Sequence, residues 1–257
     1  MSSQPTFSGG LRRLSMNRCM NRGLDRYNHL PGRARPDAYL QDLIVSNTQP
    51  GDAILEVGFH EGNNLVPLLK HPNAYQVYGA EQSDKLVRRL KNRFDGRGWR
   101  IIPAWASQQD RLHVARWSLG QTATPFPWPE MKGQFKAISA VHVLSHFSTS
   151  TLTTAVGQLS EYLAPGGLLA VTVLRSGAHT FDAEDDDHTT GLIFHSDDDL
   201  SHAFAGLRFV ATAPASAETA QAWNLPQTAL KWLVFRKPET PAASLSEHTQ
   251  PGVLINA

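Results

Sequence analysis

The sequence predicts an α/β fold: a doubly wound, mostly parallel sheet of seven strands that ends in an antiparallel C-terminal hairpin. Short apolar runs typical of buried strands alternate with runs that have the apolar spacing of helices, and turns with glycine or proline separate them. Near the C-terminus, two strand-like runs follow each other across a polar connection. Because parallel strands need crossover connections, the alternation requires right-handed crossovers with helices on both faces of the sheet.

The first half of the chain contains clear strand and helix pairs. Residues 53–57 fit a buried strand, and Ser83 is placed to cap the helix after the second strand. Pro50 and Gly51 follow the first helix and prevent its continuation. The elements expected in order are a helix at 38–45, a strand at 53–57, a helix at 62–69, a strand at 76–80 that ends in Glu81, and a helix at 83–94.

The third strand is ambiguous, because residues 100–102 and residues 112–115 both have strand-like sequences. We favour the second run. The Ala-Pro-Gly-Gly turn at 164–167 ends a helix and leads into a strand. The remaining elements expected are a strand at 135–141, a helix at 150–163, a strand at 168–174, and hairpin strands at 207–212 and 230–235.

Length and composition narrow the class of protein. A chain of 257 residues is long enough for one large domain with a substantial core. A net charge of +1 argues against a general nucleic-acid binder. The single cysteine, Cys19, excludes an internal disulfide and a cysteine-based zinc site, which favours a cytoplasmic location. No run approaches the roughly 20 apolar residues of a membrane helix.

The two ends differ in composition from the middle. Residues 1–35 contain seven arginines and one acid, so we expect a basic N-terminal segment that is partly disordered or caps the active site. This composition also resembles an organelle transit peptide, although no clear cleavage pattern is present. Residues 36–237 are predicted to form the folded domain, and residues 238–257, rich in Ser, Thr, Pro and Ala, a disordered tail.

A glycine turn after the first strand predicts a site for a nucleotide-type cofactor. Glu56 lies just before the turn, and Gly58 lets the backbone approach a ligand. A dinucleotide site needs two further glycines, but this chain has His60 and Asn63 in their places. Glu61, expected at the start of the next helix, would oppose a pyrophosphate there. The turn therefore favours a cofactor that has positive groups and no phosphate.

This turn resembles the first motif of the class I S-adenosylmethionine-dependent methyltransferases, a strand that ends in Glu/Asp-x-Gly-x-Gly-x-Gly. Residues 56–62 are Glu-Val-Gly-Phe-His-Glu-Gly. The resemblance covers roughly residues 36–237 and implies a Rossmann-like fold with S-adenosyl-L-methionine as the cofactor. Three further features match the family in order: Glu81 at the end of the second strand, the strand at 135–141 with residues 142–147 after it, and Leu-Ala-Pro-Gly-Gly at 163–167.

The resemblance implies roles for the residues around the turn. Glu56 faces the amino end of the cofactor, and Gly58 and Gly62 let its methionine part lie against the backbone. Glu81 accepts both ribose hydroxyls, because two adjacent hydroxyls need an acceptor with two oxygens. Gln82, beside it, contacts the adenine edge or the ribose.

Two departures from the family pattern affect the cofactor site. His60 replaces the middle glycine and either narrows the turn or contacts the ligand. The acid that contacts the adenine amino group after the third strand is absent, so Ser118 or Gln121 would have to serve. Val141, the last residue of the predicted fourth strand, and His142, which follows it, complete the predicted cofactor-binding set.

His142 and His146 are the candidate catalytic residues, since an imidazole can orient or deprotonate an acceptor near neutral pH. Family members that methylate nitrogens of nucleic-acid bases or of glutamine carry Asn/Asp-Pro-Pro-Tyr/Phe at this place, whereas residues 142–145 are His-Val-Leu-Ser. We therefore predict a methyltransferase with a small-molecule acceptor and no nucleic-acid partner. Residues 191–200 loosely resemble the late segment of the tellurite-resistance and thiopurine methyltransferases.

Two alternatives remain open at this point. The replaced glycine and the missing adenine-contacting acid are compatible with a catalytically silent, regulatory protein that binds S-adenosylmethionine. The basic N-terminal segment is compatible with an RNA or protein methyltransferase that docks through it. No metal is predicted, because the acids at 182–188 are typical of a solvated loop and those at 197–199 of a helix capped by Ser196.

Overall fold

The computed structural model describes residues 35–94, 110–175, 193–215, 217, 220 and 228–239. Residues 1–34 of the basic segment and the predicted tail from residue 240 onwards lie outside this part. The strands are β1 (Ala53–Val57), β2 (Gln76–Glu81), β3 (Leu112–Arg116), β4 (Phe135–Ala140), β5 (Leu163–Leu174), β6 (Arg208–Pro214) and β7 (Leu230–Arg236). The helices are α1 (Ala38–Asn47), α2 (Leu65–Lys70), α3 (Asp84–Phe94), α4 (Thr149–Tyr162) and α5 (Asp197–Ala203).

The strands form one sheet in the order β3-β2-β1-β4-β5-β7-β6. Strands β1 to β5 are all parallel to one another, whereas β7 is antiparallel to both β5 and β6. This confirms the predicted fold class, and β3 is the third strand favoured from the sequence. The strand order reverses between β1 and β4. Such a switch point is where open α/β sheets bind their ligands, at the carboxyl ends of the strands.

Side-chain caps fix where several helices begin. Asp37 Oδ1 accepts a hydrogen bond from Leu40 N at 3.0 Å at the start of α1. Ser196 and Asp199 form a reciprocal capping box at the start of α5, so Ser196 is the N-cap that the sequence predicted. Ser83 Oγ accepts from Leu86 N at 3.4 Å before α3. In the described part of the chain, no helix is both long and apolar enough to cross a membrane.

Helices cover both faces of the sheet. On one face, α1, α2 and α3 pack their apolar side chains, such as Leu40, Leu65 and Leu90, against alternate strand residues. On the other face, α4 and α5 do the same with Leu152 and Leu200. Because successive strand residues point to opposite faces, each central strand contributes to both cores. The helices on the two faces of the sheet keep in place the strand ends that form the site.

Two elements begin three or more residues away from their predicted starts. Helix α2 starts at Leu65 instead of residue 62, because His60 and Gly62 have φ values of 53° and 77°, which a right-handed helix cannot contain. Strand β5 starts at Leu163 instead of residue 168, since Leu163 already pairs with Phe135 before a shift in register.

Candidate active site

A cleft lies at the switch point, between the carboxyl ends of β1 and β4. The lining comes from β1, from the turn after it, and from the two residues that follow β4. The lining residues are Glu56, Gly58, Phe59, His60, Asn63, Asn64, Val141 and His142.

Glu56 is the buried acid of this cleft, with only 2% of its surface exposed. Its Oε1 accepts a hydrogen bond from Asn64 Nδ2 at 2.7 Å, whereas its Oε2 is buried with no hydrogen-bond partner among the described residues. Burial raises the pKa of the carboxyl group from 4.5 to about 8; the Asn64 hydrogen bond lowers it and Glu81 raises it further. A cation bound beside Oε2 would compensate the desolvated charge, so the site favours a cationic ligand.

Asn64 orients Glu56 and connects it to helix α1. Besides donating to Glu56, Asn64 accepts a hydrogen bond from Asp37 N at its Oδ1 (2.8 Å) and one from Gln41 Nε2 at its backbone oxygen (3.1 Å). These contacts hold the amide in one orientation, which fixes the position of the carboxyl group. The sequence prediction did not include Asn64. The available signal was a pair of asparagines directly after the last glycine of the turn.

The conformation of the turn explains its glycines. Gly58 has a φ of 72°, and a Cβ atom there would lie 2.3 Å from Val143 Cγ2. Gly62 has a φ of 77°, and its Cβ would lie 2.7 Å from Leu90 Cδ1. Both glycines are therefore required by packing within the protein. His60 has a φ of 53°, in the left-handed region, and histidine is one of the residues enriched in that region.

We expect Gly58→Ala to destabilise the fold by about 2–4 kcal/mol, because the left-handed backbone and the contact with Val143 both disfavour a methyl group. Gly133→Ala is the matched control: Gly133 has a φ of 68°, but a Cβ there meets nothing within 4 Å. This variant should lose only about 1–2 kcal/mol of unfolding free energy, the cost of placing an alanine in the left-handed region. Urea denaturation measures both losses, and equal values would contradict the steric role of Val143.

Glu81 ends β2 and organises the turn from the neighbouring strand. Its Oε2 accepts a hydrogen bond from His60 N at 3.1 Å, and its Oε1 accepts one from Ser83 N at 2.9 Å. The residue is 9% exposed. A carboxylate has about four acceptor sites, so these bonds are compatible with a second role as acceptor for ribose hydroxyls.

The two candidate catalytic histidines differ in position. His142 lines the cleft, is buried and has a φ of 57°. Its backbone N donates a hydrogen bond to Thr172 Oγ1 at 2.6 Å. His146 ends a single 3-10 turn, Leu144–His146, is half-buried, and is not among the residues that line the cleft. The geometry therefore favours His142 as the histidine that faces a ligand.

The nine predicted cofactor-binding residues do not all lie in the cleft. Gly62 packs against α3, and Glu81 contacts the cleft through the backbone of His60. Gln82 is exposed and Ser118 is half-buried, beyond the carboxyl ends of β2 and β3. Cofactor contacts of all nine residues stay predictions. Five of the nine predicted residues do line the cleft: Glu56, Gly58, His60, Val141 and His142.

Other acids singled out in the sequence are engaged away from the cleft. Glu61 forms an ion pair with Arg89 and precedes α2 by a full turn. The prediction that its charge lies at the helix start was therefore wrong. Asp197 pairs with Arg175. The acids at 182–188 lie outside the described residues. Within the described residues, no group of three or more His, Cys, Asp or Glu side chains could hold a metal ion.

This fold, with a buried acid in a cleft at the switch point, is that of the class I methyltransferases. The model of the methyltransferase domain family Methyltransf_23 matches residues 29–234. The chain therefore belongs to this family, and its cofactor is S-adenosylmethionine, as the sequence predicted. The comparison with curated proteins finds no match.

Solved structures share the fold at low sequence identity. The 4+2 cyclase SpnF has a TM-score of 0.59 and 19% identity, over 93% of this chain and 99% of that chain. A geranyl diphosphate methyltransferase in complex with S-adenosylmethionine has a TM-score of 0.57 and 15% identity, over 91% and 93%. The geranyl diphosphate C-methyltransferase from Streptomyces coelicolor A3(2) has a TM-score of 0.57 and 12% identity, over 78% and 77%.

Proposed function

We propose that this methyltransferase acts on a small-molecule acceptor. The observation that carries the proposal is the concave cleft at the switch point, which has both Glu56 of β1 and His142 after β4 in its lining. Sites for small ligands are concave spaces of this kind, with a few polar groups that fix orientation.

The residues of the cleft fit the cofactor, and each has a proposed part. When bound, S-adenosylmethionine supplies a methyl group on a cationic sulfur, so the protein chiefly positions the acceptor and removes a proton where needed. The unpartnered Oε2 of Glu56 fits the ammonium group, with Asn64 holding the carboxyl in place. Glu81 takes the ribose hydroxyls, and Gln82 and Ser118 lie on the adenine side.

The aromatic residues of the loop 125–129 support a small acceptor over a nucleic acid. The Phe126 ring lies 3.9 Å from the Tyr162 ring and 5.0 Å from the Trp117 ring, between centroids. Trp128 packs edge-on against Tyr78. These rings belong to the core and its border, so they do not form a platform for bases. The Streptomyces coelicolor neighbour is itself a complex with a small molecule, geranyl diphosphate.

A labelling experiment tests the proposal against the alternatives. The protein is incubated with methyl-labelled S-adenosylmethionine and with a cell extract divided by ultrafiltration into small molecules and macromolecules. We expect label to enter the small-molecule fraction, and Glu56→Gln to reduce the transfer. Label in RNA or protein alone would overturn the acceptor class. Binding of S-adenosylmethionine by calorimetry without transfer in either fraction would support the silent binder.

A further inference from the structure

Thr172 is the one hydroxyl residue in an otherwise apolar run of β5, residues 168–174. It is 1% exposed. The preceding residue, Val171, pairs with Ala140 at the end of β4, which places Thr172 beside the residues that follow β4. A buried hydroxyl must satisfy its donor and its acceptor sites within the protein. Its partners therefore show what it does.

The contacts of Thr172 lead to one assignment of its proton. Among the described residues, Thr172 Oγ1 lies within hydrogen-bonding distance of two nitrogen atoms, both of His142: the backbone N at 2.6 Å and the ring Nδ1 at 3.4 Å. The backbone N–H is a donor, so the hydroxyl oxygen accepts there. The hydroxyl hydrogen then needs an acceptor, and Nδ1 can be one only if it carries no proton.

We propose that Thr172 is a positioning residue that holds neutral His142 with a bare Nδ1 and with its ring proton on Nε2. The other ring nitrogen, Nε2, is then a hydrogen-bond donor, so His142 in the lining of the cleft does not accept a proton from the acceptor through Nε2. This role toward the ligand rests on the proposed function. The tautomer itself is a property of the free protein.

The backbone of His142 supports this assignment. Its φ of 57° is uncommon for a residue other than glycine, and such conformations persist where the surroundings fix them. The 2.6 Å bond from His142 N to Thr172 Oγ1 is such a restraint. One hydroxyl therefore fixes both the backbone and the ring of a residue that lines the cleft.

The test is a long-range ¹H–¹⁵N NMR spectrum of the histidine rings in the free, full-length protein. The chain has 11 histidines, so the His142 signals are assigned by their loss in His142→Asn, because asparagine tolerates the left-handed backbone. We expect a bare Nδ1 and a protonated Nε2 for His142 in the wild type. A proton on Nδ1 would overturn the proposal.

Two variants of Thr172 separate the hydroxyl from the shape of the side chain. Thr172→Ser keeps the hydroxyl and should keep the wild-type tautomer, whereas the near-isosteric Thr172→Val should give a mixture of both. An unchanged tautomer in a folded Thr172→Val protein would show that Thr172 does not select it. Calorimetry with S-adenosylmethionine on the wild type tests the proposed function independently. If no binding is found, the proposed function is contradicted, but the tautomer measured in the free protein is unaffected.

Discussion

Replacement of Glu56 by glutamine is expected to stabilise the folded protein at pH 7 and to weaken its binding of S-adenosylmethionine. Burial raises the pKa of the Glu56 carboxyl from 4.5 to about 8 in the folded state. At pH 7 the folded protein therefore keeps a proton that the unfolded chain releases. A glutamine has nearly the shape of the protonated acid and keeps an oxygen for Asn64 Nδ2, but it has no proton to take up.

The pH dependence follows from the direction of this pKa shift. The contribution of Glu56 to stability is fully present below the unfolded pKa of 4.5 and is lost as the pH rises through the folded pKa of about 8. At pH 7 the loss is on the order of 3 kcal/mol, since each pKa unit corresponds to about 1.4 kcal/mol. In Glu56→Gln this loss is absent, so its unfolding temperature should exceed the wild-type value by roughly 5–10 °C.

Thermal unfolding at about pH 4, 7 and 9 measures this effect. The gain of Glu56→Gln over the wild type should be small near pH 4, large at pH 7 and largest near pH 9. The control is Glu130→Gln, which removes an exposed carboxylate. A gain that does not change with pH, or a loss at pH 7, would contradict the buried, protonated state of Glu56.

Cofactor binding by the same variant should change in the opposite direction. A cation pairs with the ionised acid, so the wild-type affinity for S-adenosylmethionine should rise as the pH passes about 8, and the affinity of Glu56→Gln should not. At high pH the variant should bind about 10- to 100-fold more weakly, the value of one lost charge-assisted hydrogen bond. Calorimetry at two pH values measures both effects. Equal affinities of the wild type and Glu56→Gln at high pH would show that Glu56 does not bind the ammonium group.

The sequence predicted the fold well because the fold depends on local patterns. Alternating apolar runs specify the strands and helices, and the turn at residues 56–62 identifies the end of β1. The start of α2 was predicted wrongly, because the sequence alone does not show that His60 has a left-handed backbone. Only its replacement of a family glycine pointed to such a conformation.

The partners of the site residues could not be predicted in the same way. Asn64 lies eight residues after Glu56, and their contact depends on how the turn folds back over β1. Thr172 lies 30 residues after His142, and their contact depends on the register between β4 and β5. Such contacts follow from tertiary structure. A polar residue in an apolar strand run, as at Thr172, is the one local sign of them.

Replacement of Glu81 by glutamine should weaken cofactor binding and also destabilise the fold, in contrast to the same change at Glu56. The Glu81 carboxylate accepts hydrogen bonds from His60 N and Ser83 N, one at each oxygen. Glutamine has only one acceptor oxygen, so one buried N–H would face an amide NH₂ group. The expected loss is about 1–3 kcal/mol of unfolding free energy.

The affinity of Glu81→Gln for S-adenosylmethionine should fall about 100-fold or more, because both ribose hydroxyls lose a charged acceptor. Calorimetry measures this fall, and urea denaturation measures the loss of stability. The control is Glu130→Gln, the same change at an exposed carboxylate. Lower stability with unchanged affinity would make Glu81 a support of the turn alone. If Glu56→Gln is more stable and Glu81→Gln less stable than the wild type, while both bind S-adenosylmethionine more weakly, the two acids have different roles. Glu56 is then an acid buried to bind a cation, whereas Glu81 also holds the turn in place.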